Sequence, residues 1–141
     1  RVNRTLEVTE GLVIDQLLGR SAELESVLQE FLAIPLRGTP ERVHASIVLC
    51  GVAFEHAESA KVLIAAGNFT SALGLLRMQY EALVRAVWLL YAASDEAVTR
   101  LMTTFTPERV SVSEKLPMQA EMLKSLEGKA PEAALISLRD F

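Results

Sequence analysis

Three charged side chains at i, i+4 and i+8, Arg77, Glu81 and Arg85, are the residues of this sequence best placed to do chemistry. On an α-helix that spacing puts all three on one stripe, where a carboxylate between two guanidiniums accepts hydrogen bonds from both sides. Tyr80 stands at the edge of this ladder, and Trp88 and Tyr91 follow it, so the same stretch offers an indole and a phenol as walls of a small-molecule site. Glu55 and Glu58 join the set once the preceding helix folds back antiparallel, with His56 at its edge. The candidate binding cluster is therefore Glu55, Glu58, Arg77, Tyr80, Glu81, Arg85 and Trp88, with Glu58 and Arg77 expected as a buried pair across the hairpin. The same arrangement also reads as an ion-pair network that fixes helix register and does no chemistry, a frequent role for buried pairs.

Other chemistries lack their residues. A dinuclear metal centre in a helical bundle takes Glu-x-x-His from each of two helices, and only Glu41 with His44 has that spacing, since His56 is preceded by Ala53 at the required position. Nucleophilic catalysis needs a base converging on its nucleophile, whereas Cys50 and His56 are six residues apart on one helix and point in different directions. Gly67-Asn68 reads as a helix cap and not as a phosphate loop. No catalytic residue, metal ligand or cofactor is assigned.

The ladder needs a helix to carry it. The stretch from Asn68 to Ala93 holds one unbroken helical period without proline, with Leu73, Leu76, Tyr80, Leu83, Val87 and Leu90 as the expected core face. A second helix is expected from Pro40 to Ala66, capped by Thr39 and ended by Gly67, with an apolar middle from Ile47 to Phe54. The short connection forces an antiparallel hairpin. If the turn centres near Asn68, facing residues have numbers summing to about 136, within one helical turn. Before the hairpin, Thr5 to Ala33 reads as a long amphipathic helix lying on the core by the stripe Leu6, Leu12 or Val13, Leu17, Leu24, Val27 or Leu28 and Phe31, with a break or kink expected at Gly19. After Ala93 the chain turns loop-rich. Ser94 or Asp95 opens a short helix to Phe105, Thr106 and Pro107 open another, Pro117 to Glu127 makes a third ended by Gly128, and a last one follows Pro131 with Leu135, Ile136 and Leu138 apolar.

Composition sets the frame for these elements. The chain has 141 residues, half of them hydrophobic and only 6% aromatic, so Leu, Ala and Val carry a core of packed helices. One helical domain over 1–141 is expected, its C-terminal end cut short because the chain stops inside the last helix. The net charge of −4 gives no general pull toward nucleic acid. RNA stays a candidate partner that the charge does not favour. The longest charge-free run, Val62 to Leu76, is broken by Gly67, Asn68, Thr70 and Ser71, short of the about 20 apolar residues that a membrane span takes. A lone Cys50 builds no intramolecular disulfide and points to a reducing cytoplasm.

From His56 to Ala93 the sequence resembles the core hairpin of an uncharacterised bacterial helical family related to the HEPN superfamily. A helix ending in small residues and glycine leads there into one bearing R-x-x-x-E-x-x-x-R, here Arg77, Glu81 and Arg85, followed by an aromatic residue, here Trp88. The resemblance implies a four-helix or five-helix bundle that dimerises, and many such bundles are ribonucleases of toxin or phage-defence systems with an R-x(4 to 6)-H motif. Arg37 and His44 have that spacing, but Arg37 precedes Pro40 and cannot share a helical face with His44. Related bundles often carry a histidine just after the segment corresponding to Ser137 to Phe141.

The sequence therefore predicts an all-α, HEPN-like bundle built on a long central antiparallel hairpin with short extra helices at its C-terminal end. It is expected to act as a homodimeric interaction module, with a cognate protein partner in a bacterial defence or toxin-antitoxin pair. A HEPN-type ribonuclease completed by residues beyond 141 or by a second subunit, and a small-molecule-binding bundle using the ladder, are the alternatives. The dimer surface is expected on the Val48, Leu49 and Val52 side or the Val84, Trp88 and Tyr91 side, unless the helices after Ala93 fold back and close the core.

Overall fold

The computed structural model of this chain describes residues 2–104 and 116–140, and side chains for 11–102 and 116–140. Among the described residues the regular structure is helical: α1 (Val2–Leu32), α2 (Glu41–Ala65), α3 (Phe69–Tyr91), α4 (Asp95–Thr104), α5 (Gln119–Ser125) and α6 (Glu132–Arg139). The chain forms two compact units, Arg1–Pro35 and Leu36–Phe141.

The first unit is α1. Its helical hydrogen bonding runs unbroken through Gly19, where a break was expected. A helical glycine costs about 1 kcal/mol against alanine, too little to interrupt a helix whose neighbours favour it on both sides. Leu12, Val13, Leu17, Leu24, Val27, Leu28 and Phe31 all stand exposed.

The second unit is organised by the α2–α3 hairpin. Gly67, at φ 78°, takes the left-handed conformation that lets Asn68 N–H donate to the Leu63 carbonyl at 2.8 Å and reverse the chain. The interface follows the smallest side chains. Ala45, Ala53 and Ala60 on α2 and Ala72, Ala82 and Ala86 on α3 are each no more than 4% exposed, with Leu49 and Leu89 continuing the line. The expected leucine stripe lies to the side of this seam: Leu73 is 66% exposed, and Leu76, Tyr80, Leu83, Val87 and Leu90 are half-buried. Small residues allow two helix backbones to approach closely, so the close-packed line runs through alanines and the bulkier residues flank it.

A second layer closes one side of the hairpin. Val84 and Trp88 share a core with Val98 of α4, Met122 and Leu126 at α5, and Leu135 and Leu138 of α6. The helices after Ala93 thus fold back, and the Val84 and Trp88 surface expected to form a dimer is occupied by the chain itself. Leu49, from the other expected dimer surface, is buried in the hairpin seam, while Val48 and Val52 remain half-buried. Local capping sets these short helices. Ser94 Oγ accepts from the Ala97 N–H at 3.2 Å to start α4, and the Glu121 carboxylate accepts from the Met118 N–H at 2.9 Å to start α5. Gly128, at φ 71°, ends the α5 turn and Pro131 opens α6. Ile136 is 52% exposed, because Leu135 and Leu138 already fill the face that α6 turns to the core. Thr39 does not cap α2: its hydroxyl donates back to the Leu36 carbonyl at 2.8 Å, and Pro40 holds the N-cap position. The helix expected at Thr106 and Pro107 lies outside the described residues.

Candidate functional site

The ladder forms as spaced. Arg77 Nε donates to Glu81 Oε1 at 3.2 Å, and Arg85 Nη2 lies 3.5 Å from Glu81 Oε2, so one carboxylate bridges both guanidiniums along α3. It is wetter than a core helix implies. Arg77 is 81% exposed, Glu81 26% and Arg85 38%, so each pair contributes only about 0.3 to 0.5 kcal/mol. Arg85 Nε is enclosed and finds no acceptor among the described residues, which leaves this guanidinium as the least satisfied member of the ladder.

The remaining cluster members separate. Tyr80 turns its hydroxyl to the Leu138 carbonyl at 2.9 Å and ties α6 to the hairpin. Trp88 is 6% exposed inside the core and is no wall of an open site. Glu55 is exposed, Glu58 is half-buried, and neither pairs with the ladder. The expected Glu58–Arg77 bridge is replaced by Arg77–Glu81. Register explains the substitution: Ser46 Oγ donates to the Ala86 carbonyl at 2.9 Å in the buried seam, a pairing about one helical turn away from the expected alignment. That shift carries Glu58 off the level of Arg77. Arg37 lies in the turn before α2 and His44 is exposed in its first turns.

A second polar cluster sits at the open end of the hairpin. Arg42, in the first turn of α2, donates through Nη1 to the Leu89 carbonyl at 2.7 Å and through Nη2 to the Ala93 carbonyl at 3.0 Å, with the Leu90 carbonyl at 3.4 Å. The same Nη2 meets Asp95 Oδ1 at 2.6 Å. The Leu89 and Leu90 carbonyls are among those that a helix C-terminus leaves without partners, and Ala93 lies just past the C-cap, so one guanidinium from α2 caps α3 and touches the start of α4. Beside it Thr99 donates to Glu41 Oε2 at 2.9 Å, and Asp95, Glu96, Thr99 and Arg100 line a shallow open depression. Its signal in the sequence is positional: the expected register already sets position 42 opposite the end of α3.

Cys50 is half-buried and reduced, and burial pushes its thiol above the ordinary value of 9.0. A thiol shifted that way is a poorer nucleophile at neutral pH. Among the described residues no group of His, Cys, Asp and Glu side chains could hold a metal ion, and no helix is long and apolar enough to cross a membrane.

Residues 50–141 match the sequence model of a family of unknown function, DUF6988. This chain belongs to that family. The DUF6988 region starts inside α2 and takes in the ladder, Tyr80, Trp88 and α4 to α6, whereas α1, Arg42 and Ser46 precede it. No curated protein and no solved structure matches the chain.

Proposed function

We propose that this DUF6988 protein is a single-domain, homodimeric helical interaction module with a HEPN-like hairpin, acting with a cognate protein in a bacterial defence or toxin-antitoxin pair. Apolar exposure carries the reading. The half of the hairpin nearest its core is closed by α4 to α6, yet Val62, Phe69, Leu73 and Met78 at the far end stand 49 to 69% exposed, and the apolar stripe of α1 stands 41 to 64% exposed. Monomers rarely leave large apolar surface contiguous with water, and a two-fold copy covers it by self-complementarity. Arg77, one turn from Leu73 on the same face of α3 and mostly exposed, gives the far end a charged rim with forked hydrogen-bonding capacity. That combination of apolar centre and guanidinium rim suits a protein partner. Light scattering at micromolar concentration tests the dimer: twice the chain mass of 15.5 kDa supports it, and a mass near 15.5 kDa refutes it.

A further inference from the structure

We infer that the two copies meet through the first turns of α3, helix against helix and antiparallel about a two-fold axis at Leu73; the inference rests on the dimeric reading above and specifies its interface. Phe69, Leu73 and Arg77 stand at i, i+4 and i+8, one stripe along about 12 Å of helix. Phe69 is 52% exposed, Leu73 66% and the Arg77 side chain 81%. One turn further on, the chain covers the helix itself: the Tyr80 hydroxyl donates to the Leu138 carbonyl, and Val84 and Trp88 share a core with Met122, Leu135 and Leu138. The open stripe ends where that layer begins, and it lies wholly within the second unit.

Charge selects both the partner and its direction. An aromatic ring, an aliphatic side chain and a cation in that order complement a second copy of themselves only when the copy runs the other way. Antiparallel pairing about Leu73 sets each residue opposite the one equally far along the partner, so Phe69 of each copy meets Arg77 of the other and Leu73 meets its own copy. A guanidinium lying over an aromatic face is attracted by the negative charge of that face. Arg77 can stack in this way without releasing Glu81, because the Glu81 bond is made by Nε at the edge of the guanidinium plane. Parallel pairing in register would set Arg77 against Arg77, two like charges side by side.

Gly74 points the same way. It is exposed in the interior of α3 beside Leu73, where glycine destabilises a helix relative to alanine. A Cβ at this position would meet nothing of its own chain within 4 Å. No contact inside the chain therefore calls for a glycine there, whereas a second helix crossing at Leu73 approaches most closely where a side chain is missing.

The experiment uses the whole chain and reads mass by light scattering, with emission from Trp88, the lone tryptophan, in the core of the second unit as the folding control. Leu73→Asp is expected to convert the dimer to monomer with Trp88 emission unchanged. Gly74→Leu and Arg77→Glu are each expected to weaken dimerisation about tenfold, the first by obstructing the close approach and the second by setting a carboxylate against the Phe69 ring. In a Cys50→Ala background, Leu73→Cys is expected to cross-link to its own copy under oxidation. Phe69→Cys is expected not to, because the antiparallel arrangement holds the two copies of position 69 about 12 Å apart along the axis, beyond the reach of a disulfide. A dimer that survives Leu73→Asp and Gly74→Leu overturns this face as the interface and leaves the dimeric reading standing, whereas a monomeric parent protein overturns both. Cross-linking at position 69 in place of position 73, or a dimer indifferent to Arg77→Glu, overturns the antiparallel pairing.

Discussion

Replacing Arg42 by methionine keeps the aliphatic stem and deletes the fork that holds the end of α3. The lost contacts are hydrogen bonds from a charged donor to the Leu89 and Ala93 carbonyls at 2.7 and 3.0 Å, a longer approach to the Leu90 carbonyl and the contact with Asp95. Hydrogen bonds involving a charged group contribute about 1.5 to 3 kcal/mol each. The Arg42 side chain is 27% exposed, so water recovers part of that loss and about 2 to 4 kcal/mol remains for the two short bonds. Asp95 is 95% exposed, and its pair with Arg42 is worth less than about 1 kcal/mol. The carbonyls therefore dominate, and Arg42→Met is expected to cost several times as much as Asp95→Asn. Arg42→Lys should behave nearly like methionine, because a single ammonium cannot span both carbonyls as a planar fork does. Urea unfolding followed by far-ultraviolet circular dichroism measures all three, and a loss of about 3 kcal/mol corresponds to roughly 10 °C in Tm for a unit of this size. Equal costs for Arg42→Met and Asp95→Asn would show that the ion pair, and not the helix cap, is what Arg42 supplies.

Three further outcomes are expected. Arg77→Ala should shift the unfolding free energy by no more than about 0.5 kcal/mol, since Arg77 is 81% exposed; a loss above about 2 kcal/mol in the same urea assay would mean that it holds a buried partner. Tyr80→Phe should cost about 1 kcal/mol through the lost bond to the Leu138 carbonyl, and hydrogen exchange should rise first in α6. Cys50 should react more slowly with a disulfide reagent in the native protein than in urea at neutral pH, because burial raises its pKa. The sign of the linked stability follows. A raised folded-state pKa gives a contribution that is fully present below the ordinary 9.0 and is lost as pH rises toward the shifted value, so unfolding midpoints should fall on the alkaline side and Cys50→Ala should remove that fall.

The hairpin was legible because its signals agree: proline before α2, glycine after it, and two long proline-free runs leave no other way to bury so much apolar surface. Its inner face was less so. Periodicity weighs leucine above alanine, and Leu73 and Ala72 compete for the same seam; close backbone approach decides for Ala72, which a hydrophobicity pattern does not encode. The ladder was readable as a stripe, whereas its environment was not, because the cross-hairpin register was uncertain by one turn and that turn separates Glu58 from Arg77. Tyr80 and Trp88 went to packing for a tertiary reason: their partners, Leu138 and Met122, lie tens of residues downstream.

The alanine seam makes the hairpin behave as a rigid lever toward mutation. Little side-chain volume separates the helices, so an added methyl group at Ala86 finds no slack and has to push backbone against backbone. Displacing α3 there would act over its whole 23-residue length. The Ser46 bond to the Ala86 carbonyl and the Arg42 fork at Leu89 and Ala93 would lengthen together, although neither donor had been touched. Enlargement at a seam alanine is therefore a remote way of uncapping α3, and its cost should exceed what overpacking at a single site implies. Shortening a flanking leucine such as Leu73, already bathed in water, leaves the lever where it is.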